Sequence, residues 1–556
     1  MAANPTSLDG LPDGSGATAS PAPGPVRAAK VDALFRQLAM LDNVWLVAVL
    51  ALAFIAATPF PVDQTDYWWT VKLGDELWAS GRLPSGDPLA FTSTRLPYVE
   101  QQWLAQLVLA GVYRLGGLGA TLLLRSALVA LAMGLVFAAC RRSGASAAAA
   151  ALATALALLV ALPGAATRPQ LLAIPLFALF LLGTSDPLPR WSLAILPAAM
   201  VVWVNVHGSF PLGIVLVGIA LAGRAWTLLG GLDGLRRLRT LPRRLLGDGS
   251  VRRMAILLGL CCLAVLANPY GIGLVPWLAD FLTLHSGGQD AAVVATEWAR
   301  TSLAERAGAY YFGSLALLIV ALVRAGPPDP ATCLRLLIFG LLALAAVRNT
   351  LWWGLVQAPA LAWAIVAGPR EQVGALVEPA PSARRPGAAL PASRRQAAAN
   401  LLLMAAFLGA AVLSLPPLRA ALLGSAPAIA DPSQPHGPAD YLDAVARPGR
   451  LFNYLDWGGY LAYRLAPSAQ VFVDGRFGIY PPTVYRDYFT ISAAQAGWEQ
   501  RLASYRVDTL VLDRRAQAPL VRALAGSAAW QPVYCDATAV VYWPASGAAA
   551  ADCPAE

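Results

Sequence analysis

VWLVAVLALAFIAATPFPVDQTD, residues 44–66, begins as an unbroken apolar run and ends in two prolines and two aspartates. As a helix, the part 44–62 is long enough to cross the roughly 30 Å of hydrocarbon in a bilayer. The aspartates then lie just past its end. Ten further stretches of this kind follow, at 119–139, 146–164, 170–184, 191–207, 211–228, 254–269, 310–325, 332–347, 351–367 and 398–416. The whole chain agrees with them. Of 556 residues, 57% are hydrophobic and 13% charged, with a mean hydropathy of +0.56, far from the composition of a soluble domain. The sequence therefore predicts a mainly α-helical polytopic membrane protein of about eleven transmembrane helices.

Charge gives the orientation. Arg141, Arg142, Arg190, Arg236, Arg237, Arg239, Arg243, Arg244, Arg252, Arg253, Arg384, Arg385, Arg394 and Arg395 fall on one side of the spans, and by the positive-inside rule that side is cytoplasmic. With the amino terminus inside and an odd number of spans, the chain after Pro417 lies outside. Three units result: a disordered cytoplasmic tail over 1–30, a transmembrane unit over 31–416 with a long first outer loop at 63–118, and an extracytoplasmic unit over 417–556. The tail is rich in Pro, Gly, Ala and Ser and has no apolar core to offset the entropy of ordering; 368–397 reads as a second linker. Cytoplasmic loops and anionic head groups account for the net charge of +9, which argues against a nucleic-acid partner. Cys535 and Cys553 are the two cysteines of the outer unit, and whether they pair is left open.

A loop as long as 63–118 is functional or disordered, and helical spacing of Trp68, Trp69, Leu73, Leu77 and Trp78, and of Trp103, Leu104, Leu107, Val108 and Val112, predicts two amphipathic helices lying at the membrane interface. They would hold Asp66 and Glu100 where a general base is useful. Two ordinary readings stand beside this: Asp66 as the N-cap of the first helix and Glu100 at the dipole end of the second. Asp63 is a rival to Asp66.

Polar residues recur at the outer ends of later spans: Arg168 and Gln170 in TRPQLL, Asn205 and His207 in WVNVHGSF, Asn268 in ANPYG, Arg348 in VRNTLWW. Such residues are costly at membrane depth, although singly His207 and Asn268 also suit span-end caps. The outer loop after the seventh span adds His285, Glu297, Trp298, Arg300 and Arg306. Arg125, Arg168 and Arg348 suit either a clamp on a lipid phosphate or snorkelling to head groups. The outer unit alternates short strands and helices, which reads as a small α/β domain. Asp456, Trp457, Asp474, Arg476, Tyr480 and Tyr485 fall at strand ends, where they suit sugar binding or ordinary turns. The chain has no Walker loop, dinucleotide fingerprint, Cys-x-x-Cys, zinc motif or nucleophile elbow, which removes support for nucleotide, zinc or serine-nucleophile chemistry. A divalent cation, Mg or Mn, on the oxygens of Asp66 and Glu100 remains open.

This order of parts resembles membrane glycosyltransferases of the GT-C class, which use polyprenyl-phosphate-linked sugars. More narrowly, DYWWTVKLGDELWASGRLPSGDPLAFTS, EQQWLAQLV, TRPQLL, WVNVHGSF, NPYG, ATEWA, VRNTLWW and NYLDWGGYLAYRL with VFVDGR look like a bacterial GT-C-like family over most of 44–543. YLDWGGY is similar to the Trp-Trp-Asp-Tyr-Gly element of oligosaccharyltransferase catalytic subunits, but its order around Asp456-Trp457 differs and the second tryptophan is missing, so peptide recognition does not carry over. The resemblance implies a multi-pass protein of a bacterial inner membrane. It would move a sugar, with inversion, from a polyprenyl-phosphate donor to a glycan, lipid or protein acceptor outside, with Asp66 or Glu100 as base. A lipid transporter or flippase and a non-catalytic envelope assembly protein are the competing classes.

Overall fold

A helix that is apolar on every side needs lipid or other helices around all of it. The computed structural model describes residues 37–63, 66–93, 98–230, 241–286, 296–367, 393–424, 428–447, 449–476, 478–545, 551 and 553. Within them a helix occupies each apolar stretch: α1 Leu41–Ala57, α3 Trp103–Arg142, α4 Ala147–Ala161, α5 Gln170–Gly183, α6 Ser192–Val206, α7 Pro211–Leu229, α9 Gly249–Ala264, α11 Arg306–Ala325, α12 Pro330–Ala345, α13 Thr350–Ala367 and α14 Arg394–Leu413. Between and after them lie α2 Tyr67–Ser80, α8 Leu241–Gly247, α10 Leu274–Ser286, α15 Pro416–Leu423, α16 His436–Val445, α17 Gly458–Leu465, α18 Pro482–Ser492, α19 Trp498–Ser504 and α20 Ala518–Ala525.

Among the described residues six helices are long and apolar enough to cross a membrane: Trp103–Arg142, Ala147–Gly164, Pro211–Leu229, Arg306–Ala325, Val347–Ala367 and Arg394–Leu413. Four more, α1, α5, α6 and α12, are apolar but shorter. Three of these stop at a polar C-cap, Thr58, Thr184 and His207. α9 carries Arg252 and Arg253 near its start. The predicted tail over 1–30 and most of the predicted linker 368–397 lie outside the described residues.

The bundle core is built where α12 and α13, α13 and α4, α3 and α5, α3 and α1, α7 and α12, and α6 and α9 pack against one another. Alanines and large rings interlock there: Trp203, Phe177, Phe180, Phe339 and Trp353 are almost wholly buried. On the outer faces of the same helices Leu131, Leu152, Val320, Val323, Leu337 and Leu402 are exposed, an arrangement that water disfavours and hydrocarbon accepts. α3 breaks at Gly116 and Gly117, where Gly117 has φ 59°, a conformation only glycine adopts freely. The break separates an arm, 103–115, from the long apolar segment that follows.

The carboxyl-terminal region carries one five-stranded sheet in the order β2-β1-β3-β5-β4, from β1 Gly449–Asn453, β2 Ala469–Val471, β3 Thr509–Asp513, β4 Trp530–Cys535 and β5 Ala539–Pro544. β2-β1-β3 is parallel and β3-β5-β4 antiparallel. Residues Leu451, Phe452, Leu510, Val511 and Val541 bury both faces of the central strands. Cys535 and Cys553 are joined by a disulfide.

The first of the two helices predicted in the outer loop is covered by protein on more than the one face its periodicity marks. α2 packs between the arm of α3 and α17, with Tyr67, Trp68, Trp69, Val71, Leu73 and Leu77 buried and Trp78 exposed. Too many positions of α2 are apolar for a single wetted interface. The strand-like segment after it continues into the sheet region: Val471 N–H donates to Leu89 O at 3.0 Å, Phe91 N–H donates to Val471 O at 3.3 Å, and Thr92 Oγ1 donates to Phe472 O. One hydrophobic core therefore contains both Trp68 and Leu73 of the loop and Tyr460, Val471 and Phe472 of the sheet region, and it crosses the boundary expected at 417.

Candidate functional site

Where the loop, the bundle and the sheet region meet, a cavity of about 140 Å³ is lined by Asp66, Trp69, Tyr98, Glu100, Gln101, Arg168, Gln170, His207, Trp277, Glu297, Trp298, Arg348, Arg476 and Ile479 among others. Nine residues singled out by sequence stand around it: Asp66, Glu100, Arg168, Gln170, His207, Glu297, Trp298, Arg348 and Arg476.

Asp66 occupies the N-cap position of α2, yet its side chain makes no capping bond. Oδ1 accepts from Trp69 Nε1 at 3.2 Å and Oδ2 lies 3.6 Å from Arg168 Nη1. Arg168, in the turn before α5, gives its short contact to Glu297 Oε2 instead, at 2.6 Å. Glu297 Oε1 also holds Arg348 Nη1 at 3.0 Å, and the Arg348 guanidinium stacks 4.2 Å over Trp298. Two arginines thus share two carboxylates unequally. Burial raises the Asp66 carboxyl above its ordinary value despite Arg168, with Glu297 pushing it further up. Glu297 is also raised by burial, but Arg168 and Arg348 outweigh that and hold it below its ordinary value. Divergent carboxylates of this kind suit different roles, the basic one for proton transfer and the other as a fixed anion.

His207 follows the last turn of α6. Its Nδ1 accepts from the Ser209 backbone N–H at 3.1 Å, which leaves Nε2 as the protonated nitrogen of the neutral ring. That N–H is a donor on the cavity wall. Glu100 is 6% exposed. Tyr98 Oη donates to its Oε2 at 2.8 Å and Gln106 Nε2 to its Oε1 at 2.7 Å, so both oxygens are occupied, and burial holds its carboxyl above the ordinary range. Gln170 is 2% exposed and its Oε1 has no partner among the described residues.

Arg476 forms the sheet-side wall. It binds Asp474 through Nε and Nη2, at 3.0 and 2.6 Å, and Asp87 through Nη1 and Nη2, at 2.8 and 3.1 Å. Asp474 and Asp87 belong to the sheet region and to the outer loop, so this fork pins one to the other. Gly458 lets the turn after β2 come close: a Cβ there would strike Val473 O and the Asp474 backbone.

Other expected residues stand elsewhere. Arg125 is 2% exposed and donates to the carbonyls of Phe60 and Pro61 at 2.5 and 2.8 Å; it satisfies acceptors left where the prolines end α1, and it is not in the cavity. Asp63, fully buried, accepts from Trp68 Nε1 at 3.3 Å and Asp431 N–H at 2.5 Å, tying the loop to the sheet region. Asn268 closes a turn on Val265 O and Gly271 O. Asp456 is exposed, Trp457 is buried and donates to Ser433 O at 2.8 Å, and Asp474 acts through Arg476. The side chain of His285 lies outside the described residues.

The donor set around Asp66 does not fit a divalent cation: its neighbours are a guanidinium and an indole N–H, and both oxygens of Glu100 are engaged. Among the described residues no group of three His, Cys, Asp or Glu side chains converges. Sequence reasoning missed Tyr98 and Trp277. Tyr98 stands two residues from Glu100, which was a usable signal; Trp277 carried none. Compared with known protein-family models and with curated proteins, the chain matches none.

Proposed function

We propose that the protein is a GT-C-like membrane glycosyltransferase with about eleven spans in a bacterial inner membrane, its amino terminus cytoplasmic and its sheet region outside. On this reading it transfers a sugar from a polyprenyl-phosphate-linked donor to an extracytoplasmic acceptor with inversion. The observation that carries the reading is Asp66: a carboxylate of raised basicity on a cavity wall, held only weakly by an arginine whose main partner is another carboxylate. Asp66 takes the proton of the acceptor hydroxyl as it attacks the anomeric carbon, a role that contributes about 10²–10⁴-fold. The lipid phosphate leaves as an anion, and Arg168, Arg348 and the Nε2–H of His207 are the donors available to it. Glu100, with both oxygens occupied, supports the wall, and Asp66 is preferred to it as base.

The test is the envelope glycan and glycolipid profile of a deletion strain complemented at matched levels with wild type, Asp66→Asn or Glu100→Gln. Restoration of a missing sugar by wild type alone among the Asp66 pair supports transfer. Equal rescue by Asp66→Asn removes Asp66 as base and favours a transporter or an assembly protein.

A further inference from the structure

We propose that a second cavity, at the other end of the bundle, binds a phosphate-bearing group with Arg335 as its anchor, whichever reaction the Asp66 cavity performs. α5 joins the two places: Arg168 and Gln170 stand at its start, while Thr184 and Ser185 at its end line the second cavity, of about 320 Å³. Its 14 residues at about 1.5 Å each separate the two by roughly 21 Å.

Three arginines line this second cavity, Arg142, Arg224 and Arg335, with Asp186 and Asp329. Among the described residues the carboxylates make no direct ion pair with these arginines: Asp329 faces Arg335 and Asp186 faces Arg224 only at longer range, and Asp329 caps α12, accepting from Thr332 N–H at 3.0 Å and Thr332 Oγ1 at 2.6 Å. Arg224 pairs at 2.6 Å with Asp248. Arg142 donates only to neutral acceptors, Ser185 Oγ at 2.6 Å and Pro187 O at 2.7 Å. Arg335 donates through Nη2 to Thr184 O and Oγ1, at 2.6 and 3.2 Å, and its Nε is buried without a partner. Among the described residues neither Arg142 nor Arg335 makes an ion pair.

A half-buried guanidinium that makes no direct ion pair and has one buried N–H unused gains from an anion that completes it. The fork of donors on an arginine matches the oxygens of a phosphate. With the bundle spanning a membrane as proposed, the cavity, at the ends of α3, α5 and α12, would lie at the depth of the head groups of one leaflet. The shared chemistry is a phosphate monoester or diester, reaching the cavity either on a lipid or free from the aqueous side.

The full-length protein in a nonionic detergent is melted against increasing inorganic phosphate, and separately with phosphatidylglycerol or with diacylglycerol of the same acyl chains. Stabilisation by phosphatidylglycerol and not by diacylglycerol or inorganic phosphate assigns a lipid; stabilisation by inorganic phosphate assigns the free ion. In either case Arg335→Gln should raise the concentration needed roughly tenfold or more. Arg142→Gln, at an exposed side chain, should weaken it in the same direction and serves if Arg335→Gln does not fold. Equal stabilisation by diacylglycerol, none by either phosphate probe, or a response unchanged in the variants overturns the proposal.

Discussion

Asp66 and Glu297 meet one guanidinium, and their unequal shares of it separate their chemistry. Because Glu297 takes the short contact with Arg168, it both adds a repelling charge near Asp66 and withdraws the cation that would otherwise acidify it. A base acts in its ionised form, so activity should fall as pH drops through the Asp66 pKa, and that acidic limb should lie above the ordinary 3.8. Glu297→Gln removes the repulsion and frees Arg168, so Asp66 becomes more acidic and the acidic limb of kcat/KM moves to lower pH, while the plateau falls because the base is weaker. A limb that stays in place would separate Asp66 from the titration. Arg476 tests the opposite case of a fully paired charge. Arg476→Met leaves Asp474 and Asp87 buried and uncompensated and should cost about 3–5 kcal/mol, read as a lowered Tm; Arg476→Lys keeps the charge but not the fork and should fall between. At this scale the sequence identified residue types and their common side, which sufficed for nine wall residues. It did not reveal partners. Arg125 and Arg168 look alike as arginines at span ends, and only the tertiary fold gives one to carbonyls and the other to carboxylates.

α2 is the element on which the site depends, since it carries Asp66 and Trp69 on one wall and fills the gap between α3 and α17. Its approach to α3 is set by Gly74, where a Cβ would meet the Gln106 carbonyl carbon at 2.6 Å and Ala110 Cβ at 2.7 Å. Gly74→Ala should therefore push α2 off the arm, costing about 1–3 kcal/mol as overpacking. It should also disturb Gln106, whose side chain holds Glu100. A Tm unchanged from wild type would show that the arm yields freely. The places of the apolar helices were legible because apolar runs are a strong signal, but their extents were not: among the described residues six of the eleven are long and apolar enough to cross a membrane; the alternation of strands and helices after 449 was legible from its short apolar runs. What covers α2 was not. Periodicity marks an apolar face but is silent on whether lipid, an arm of another helix or a distant domain lies against it, and the contacts that decide this are separated by hundreds of residues, as between Lys72 and Ala466 O.

At the scale of the whole chain, two hydrophobic cores, one of the bundle and one shared by the outer loop and the sheet region, meet beside the Asp66 cavity. A site at such a seam can draw one wall from apolar helices and another from polar loops, as a substrate with a lipid tail and a sugar head requires. That use demands that the sheet region and the Asp66 cavity face the same compartment, with the Arg335 end of the bundle facing the other. Cysteine accessibility tests this. Cys333 is exposed near the start of α12, and Cys140 and Cys261 are buried. In a Cys262→Ser background, a membrane-impermeant maleimide applied to intact spheroplasts should label Asp456→Cys, at an exposed position of the sheet region, and should reach Cys333 only after permeabilisation. Cys535 and Cys553, joined to each other, should label from outside only after reduction, as expected for a pair held in an oxidising compartment. Labelling of Cys333 in intact spheroplasts with protection of Asp456→Cys would invert the chain, put the Asp66 cavity on the cytoplasmic side and remove the extracytoplasmic acceptor from the proposed reaction.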